Sequence, residues 1–302
     1  MLGAGAVGLA VAARLSEVAE VHAVARGRHV EAMKERGMRL TGIWGEGTFR
    51  FPCSESLPEE DFDCFVLSSK SNDTRAICEQ FAERLKGREV VSLQNGIGNE
   101  EIISEYTDRV IGGRIITGFE WRGDASVCVT VEAAPIRLGR FPFGSDRAVR
   151  ELVDLFIGAG MRAEATEEVR TDIWGKALYN CVLNPLGAIM GVPYGALAQE
   201  NSWRIIGGIA KEIFAVAEAE GVRMPWPSPD EFIEHLRDEQ LPATAAHRSS
   251  MLQDIEMGRM TEIAFLNGAI VERGNAHGVA TPLNGMMTDL ILFKESLYTD
   301  GS

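Results

Sequence analysis

Gly3-Ala4-Gly5-Ala6-Val7-Gly8 is the stretch whose reading decides the fold. Glycines at this spacing meet three different needs. The first permits a tight turn, the second lets a ligand approach the backbone, and the third lets a following helix pack close to a sheet. Leu9, Val11, Ala12, Ala13 and Leu15 follow and predict that helix. Its N-terminus would offer free N–H groups and the positive end of a dipole, which suits phosphate. The spacing thus predicts a dinucleotide site on Gly3, Gly5, Ala6, Val7 and Gly8. Downstream, Glu20-Val21-His22-Ala23-Val24-Ala25 reads as a second strand, closed by Arg26. A site for NAD carries an acidic residue about 20 positions after the glycines. Arg26 stands there instead, with Arg28 nearby. Arginine suits a 2′-phosphate, so the expected cofactor is NADP, as NADPH in its reduced form. A solvated charge at a strand end is the plainer alternative. Only Met1 and Leu2 precede Gly3, where a strand of about five or six residues is expected. The expectation is that the native chain extends upstream to supply it.

Outward from this turn, the first half alternates strand and helix signals. Helices are expected at 28–36 and 73–85. Extended segments are expected at 48–52, 63–70, 89–94, 110–117, 126–132 and 136–138. Such alternation implies a parallel sheet whose ligands sit at the strand C-terminal ends. From about Arg147 the pattern turns helical, with segments near 147–158, 168–191, 203–220, 229–237, 248–274 and 283–297. Gly221 and Gly278 read as helix stops. The fold class predicted is α/β: an N-terminal Rossmann-type doubly wound sheet over 1–165, then an all-helical C-terminal domain over 166–302. The cleft between two such domains is the default ligand site.

The 302 residues are 45% hydrophobic and 25% charged, the composition of a soluble globular protein. No apolar run is long enough to span a membrane, and no signal-peptide pattern precedes Gly3. The net charge of −14 argues against nucleic acid and anionic membrane as partners. Anionic ligands must then be met by local cations. The five cysteines are scattered and form no CxxC pair, which predicts reduced thiols in a cytoplasmic protein. No metal site is expected, because the five histidines cluster neither with the cysteines nor with each other.

The second informative run is Asp172-Ile173-Trp174-Gly175-Lys176-Ala177-Leu178-Tyr179-Asn180-Cys181-Val182-Leu183-Asn184-Pro185. Lys176, Asn180 and Asn184 stand at i, i+4 and i+8. They form one helical stripe, because each step advances only about 40° beyond a full turn. A lysine on an otherwise apolar helix is either a proton donor in a pocket or a side chain reaching for a surface. Lys70 and Asn95 lie where strands end, which makes Lys70 a candidate phosphate contact and Asn95 a candidate ligand partner. A loop lysine and an Asn-Gly turn are the alternatives. In the last third, an apolar stripe predicts one long amphipathic helix. Ser249 or Ser250 would be its cap or a ligand hydroxyl, and Glu262 would turn inward or pair with Arg259. On one straight helix Ser250 and Glu262 would lie about 18 Å apart, too far to share a small ligand.

Together the GAGAVG opening, Lys70, Gln94-Asn95-Gly96, Trp174-Gly175-Lys176 with Asn180 and Asn184-Pro185, and the 249–254 and 261–263 segments resemble the ketopantoate reductase (2-dehydropantoate 2-reductase) family. The resemblance covers nearly the whole chain. It implies NADPH-dependent reduction of 2-dehydropantoate to pantoate, a step toward pantothenate and coenzyme A. By position Lys176 matches the family's catalytic lysine and Glu262 its substrate-binding glutamate, with Glu262 and Asn95 also near the cofactor. Asn95, Asn180, Asn184 and Ser250 match the other polar pocket positions, and Arg26 and Lys70 the NADP phosphate contacts. A homodimer through the helical domain is also suggested. The rival readings are a related reductase acting on another 2-keto acid, and a non-catalytic NADPH-binding sensor.

Overall fold

In the computed structural model, which describes residues 1–299, the glycine-rich turn opens α1 (Ala6–Leu15). The chain divides into two compact units, one made of residues 1–94 and 99–170, the other of 95–98 and 171 onward. The first unit continues through β1 (Ala23–Val24), α2 (Gly27–Arg36), β2 (Met38–Gly42), β3 (Gly47–Phe49), β4 (Cys53–Ser54) and β5 (Cys64–Leu67). Then come α3 (Thr74–Gln80), α4 (Ala82–Leu85), β6 (Glu89–Ser92), α5 (Asn99–Ser104), β7 (Val110–Gly123), β8 (Ser126–Arg140), α6 (Arg147–Gly158) and β9 (Ala163–Ala165).

The place of the first strand is held by a stub. Leu2 bridges Val24 on one side and Leu67 on the other, both in parallel. Val24 N–H donates to Met1 O at 2.8 Å, Leu2 N–H to Val66 O at 2.8 Å, and Ala4 N–H to Val24 O at 2.9 Å. The stub thus joins the β1–β4 pair to the β3-β2-β8-β7-β6-β5 path. Strand side chains alternate between faces. Ala23, Val66 and Val91 enter the core beneath α1, α2 and α6, while Val24, Phe65, Leu67 and Val90 enter the one beneath α3, α4 and α5. Helices therefore cover both faces, as in a doubly wound fold.

Some expectations are corrected. The sheet is mixed rather than parallel: β7 pairs β8 antiparallel, and β2 pairs β3 antiparallel. The reason is two tight turns, one at Gly123-Asp124-Ala125 between β7 and β8 and one over 43–46 between β2 and β3, with positive φ at Gly123, Ala125 and Gly45, since turns that short can only reverse the chain. The short strands at 38–42 and 163–165 and the helix at 99–104 carry too few periodic residues to read from sequence. The second strand spans only Ala23–Val24, and the 73–85 helix is interrupted at Phe81.

The second unit is helical. It comprises α7 (Val169–Met190, beginning two residues earlier), α8 (Glu200–Ala219), α9 (Pro229–His235), α10 (Leu241–Ala243), α11 (Ser250–Glu256), α12 (Asn267–His277) and α13 (Pro282–Thr299). Another correction falls here. The expected long helix over 248–274 is two helices, because Gly258 adopts φ +62 after α11 and the chain re-forms only at α12. Ser250 and Glu262 therefore do not share a straight helix. Inside α7, Pro185 has no N–H to give the Cys181 carbonyl. The side chain of Asn267 takes over that role, donating Nδ2 to Cys181 O at 3.2 Å and to Asn284 Oδ1 at 3.0 Å. Glu212 of α8 then accepts from Asn284 Nδ2 and from the backbone N–H groups of Leu283 and Asn284 at the start of α13. Four helices are tied by this one network, buried at Asn267 and half-buried at Glu212.

Candidate active site

In the first unit the three glycines have distinct surroundings. Gly3 has φ +69, and a Cβ there would lie 2.4 Å from Ser69 Cβ; at Gly8 it would lie 2.1 Å from Ser68 Oγ. Gly3 is demanded by the protein itself, whereas the contact at Gly8 is with the rotatable end of a side chain. Gly5 differs: a Cβ there would meet nothing within 4 Å. The missing side chain leaves open space before α1, whose first turn has no side-chain cap and so keeps its N–H groups for an anion. Ser68 Oγ is buried beside this turn without a hydrogen-bond partner. Open space at Gly5, an uncapped helix start and an orphaned hydroxyl fit a dinucleotide's pyrophosphate and ribose.

The loop after β5 is braced from below. Gln94 Nε2 donates to Ser69 Oγ at 3.1 Å and to Thr74 Oγ1 at 2.7 Å; Thr74 Oγ1 donates to Asn99 Oδ1, and Asn99 Nδ2 to Ser71 Oγ. This buried chain fixes the segment that carries Lys70, which is half-buried at the head of a 3-10 turn over Ser71–Asp73. Arg26 is exposed at the end of β1. Arg28 is engaged elsewhere, 3.3 Å from Asp124 and over the Trp121 ring.

The second unit gathers a polar set. Asn180 Nδ2 donates to Asn95 Oδ1 at 2.9 Å, and Asn95 Nδ2 donates to Glu262 Oε2 at 3.3 Å. A carboxylate only accepts, so Asn95 must turn its NH2 toward Glu262, leaving its carbonyl for Asn180. Asn95 is held by its own segment: Ile97 N–H donates to Phe265 O at 2.7 Å, and Gly96, at φ +94, lies where a Cβ would come within 2.4 Å of that same oxygen. Glu262 is held by its neighbour, since Thr261 N–H donates to the buried Glu295 of α13 at 2.6 Å. Lys176 is half-buried one helical turn before Asn180. Gly175 lets α7 approach Pro225, whose Cγ would lie 2.6 Å from a Cβ there. The Pro-Trp-Pro connector thus docks against α7 at Gly175.

Of the predicted residues, the structure brings Asn95, Asn180 and Glu262 together by hydrogen bonds, with Lys176 on the same helical stripe. Asn184 is buried and its Oδ1 accepts from Tyr194 Oη at 2.5 Å, within a cluster that includes Tyr179 and His247. Burial holds the Tyr194 phenol well above its ordinary pKa, so it stays a donor. Ser250 is exposed at the first turn of α11, while the buried Ser249 is the cap, accepting from Leu252 N–H at 3.0 Å. Sequence reading passed over Ser68, Tyr194 and Glu295, and gave Gln94 no role beyond its place in the Gln94-Asn95-Gly96 run. Only Gln94 carried a signal, its place immediately before Asn95. Among the described residues no helix is long and apolar enough to cross a membrane.

A glycine turn of this kind, at the carboxyl edge of a sheet wound on both faces and followed by a helical unit, marks a nicotinamide-dependent oxidoreductase. The chain belongs to the ketopantoate reductase family: residues 1–142 match the family model "Ketopantoate reductase PanE/ApbA" and residues 168–295 the model of its C-terminal part. A 2-dehydropantoate 2-reductase of Pyrococcus horikoshii is 34% identical over 308 residues, covering 98% of this chain and 97% of the relative. Among solved structures, a PanE/ApbA family ketopantoate reductase from Ralstonia eutropha is 28% identical, with TM-score 0.86 over 99% of this chain and 100% of that one. A D-mandelate dehydrogenase solved with NADH and anilino(oxo)acetate is 27% identical, with TM-score 0.89 and the same coverage.

Proposed function

We propose that this protein reduces 2-dehydropantoate to pantoate with NADPH, Lys176 delivering the proton. The observation that carries the reading is the hydrogen-bonded line Asn180–Asn95–Glu262 beside the stripe of Lys176. When bound, the reduced nicotinamide supplies a hydride to the ketone carbon. Negative charge then builds on the carbonyl oxygen, where the Lys176 ammonium stabilises it and gives up its proton. Asn180 and Asn95 orient the reactants without adding charge, and Glu262 accepts a hydrogen bond from the substrate hydroxyl. Ser250 donates to the substrate carboxylate, and Asn184 fixes the far end of the stripe through Tyr194. Arg26 and Lys70 meet the cofactor phosphates. The product would feed pantothenate and coenzyme A synthesis in the cytoplasm. The reading includes a homodimer, supported by the exposed stripe Met286, Leu290, Phe293 and Leu297 on α13, which sedimentation would check.

The likeness to D-mandelate dehydrogenase favours a second reading, reduction of a 2-keto acid with another side chain on the same Lys176 chemistry. The test is oxidation of NADPH with 2-dehydropantoate and with the keto acid of mandelate, side by side. Turnover on 2-dehydropantoate that vanishes in Lys176→Ala supports the first reading. Turnover on the aryl keto acid alone selects the second. Cofactor binding with turnover on neither sinks the first reading and the aryl form of the second.

A further inference from the structure

The corner at the end of β1 holds a carboxylate that its own strand lacks. β4 pairs β1 in parallel, with Val24 opposite Ser54, and Ala25 N–H donates to Ser54 O at 3.0 Å. The next residue on each strand is therefore Ala25 and Glu55, one step before Arg26. The Glu55 carboxylate lies flat against Gly27: a Cβ there would stand 3.1 Å from its Cδ, Oε1 and Oε2 alike. Gly27 is the first residue of the ten-residue α2, which has no side-chain cap and no acidic residue in its first turn. Glu55 is exposed and makes no hydrogen bond or ion pair among the described residues.

In a Rossmann-type sheet this corner reads the adenosine ribose. A carboxylate there takes the 2′-hydroxyl of NAD, and an arginine takes the 2′-phosphate of NADP. Here both groups are present, one from each of two neighbouring strands. We infer that Glu55 is a specificity-determining residue that accepts the 2′-hydroxyl of NADH and opposes the 2′-phosphate that Arg26 invites, so that the protein uses both cofactors. The inference rests on the reading of this corner as the cofactor's ribose site. A full strand–helix spacing rule would have missed it, because the carboxylate arrives from 29 residues beyond Arg26 (55 minus 26).

The test is binding of NADPH and of NADH, without substrate, to the wild type, Glu55→Gln and Arg26→Ala, read by nicotinamide fluorescence at low and high salt. Glu55→Gln is expected to tighten NADPH and weaken NADH, each by about two- to fivefold, the range of an exposed charge interaction. The NADPH gain should shrink as salt rises. Arg26→Ala should weaken NADPH and leave NADH nearly unchanged. If Arg26→Ala weakens NADPH while Glu55→Gln moves neither cofactor, or moves both alike, the role of Glu55 is overturned and the ribose corner stands. If neither variant changes the ratio of the two affinities, the ribose reading of the corner fails together with the role of Glu55.

Discussion

The glycine corner of the first unit and the carboxamide set of the second are built on opposite principles. The corner is made by subtraction. Gly3 and Gly8 stand where a side chain would collide, and Gly5 where a side chain would intrude on open space. The carboxamide set is made by addition, with Asn180, Asn95 and Glu262 each spending a polar group on the next. A site made by subtraction is legible from residue type alone, because only glycine lacks a Cβ. A site made by addition needs tertiary structure to reveal who bonds to whom.

The contrast is broken most directly at Lys176. Lys176→Ala is expected to lower kcat by about 10²–10⁴-fold, the usual worth of a general acid, while the Kd for NADPH holds; a matching loss of cofactor affinity would remove Lys176 from proton transfer. Next in size, Gly3→Ala is expected to cost about 2–5 kcal/mol in urea denaturation, since it adds a left-handed strain to a collision. Gly5→Ala sharpens the same comparison. It should leave folding almost unchanged yet weaken NADPH by about 5- to 150-fold, the cost of overfilling a packed space by 1–3 kcal/mol. Equal damage to folding and binding at both glycines would erase the distinction drawn between them.

The smallest effect concerns pH. Glu89 in the first unit is desolvated by burial, which alone would raise its carboxyl pKa. Hydrogen bonds from Arg140 and Arg109 outweigh that and hold it below the ordinary value of 4.5. A depressed folded-state pKa contributes stability that is present above about pH 4.5 and lost as pH falls through the lower, folded value. Glu89→Gln should therefore flatten the fall of Tm on acidification while lowering Tm modestly at neutral pH. An unchanged acid limb in Glu89→Gln would assign that loss to other carboxylates.

What could be read beforehand follows from the same division. The Gly3–Gly8 turn, α6 at Arg147–Gly158 and the stripe of Lys176 and Asn180 rest on local spacing, and local spacing survives in a sequence. The sheet's mixed direction depended on turns over 43–46 and at Gly123-Asp124-Ala125 too short to stand out. The break at Gly258 was hidden because apolar residues continue in helical register across it. Ser249 and Ser250 are adjacent and chemically identical, and only burial distinguishes the cap from its exposed neighbour. Glu55 was invisible for a different reason: its place at the Arg26 corner is set only through the β1–β4 register.

The replacement of a backbone donor by the Asn267 side chain at Cys181 has a consequence for how this chain can vary. Pro185 creates a need that Asn267 answers, so Asn267 cannot change freely while Pro185 stays. Asn267→Leu beside Pro185 strands a buried carbonyl, whereas Asn267→Leu after Pro185→Ala leaves that carbonyl served by the restored N–H. Of the two mutational routes to the same double variant, one passes through a damaged intermediate and the other does not. A proline within a helix in this way makes the order of the two substitutions matter.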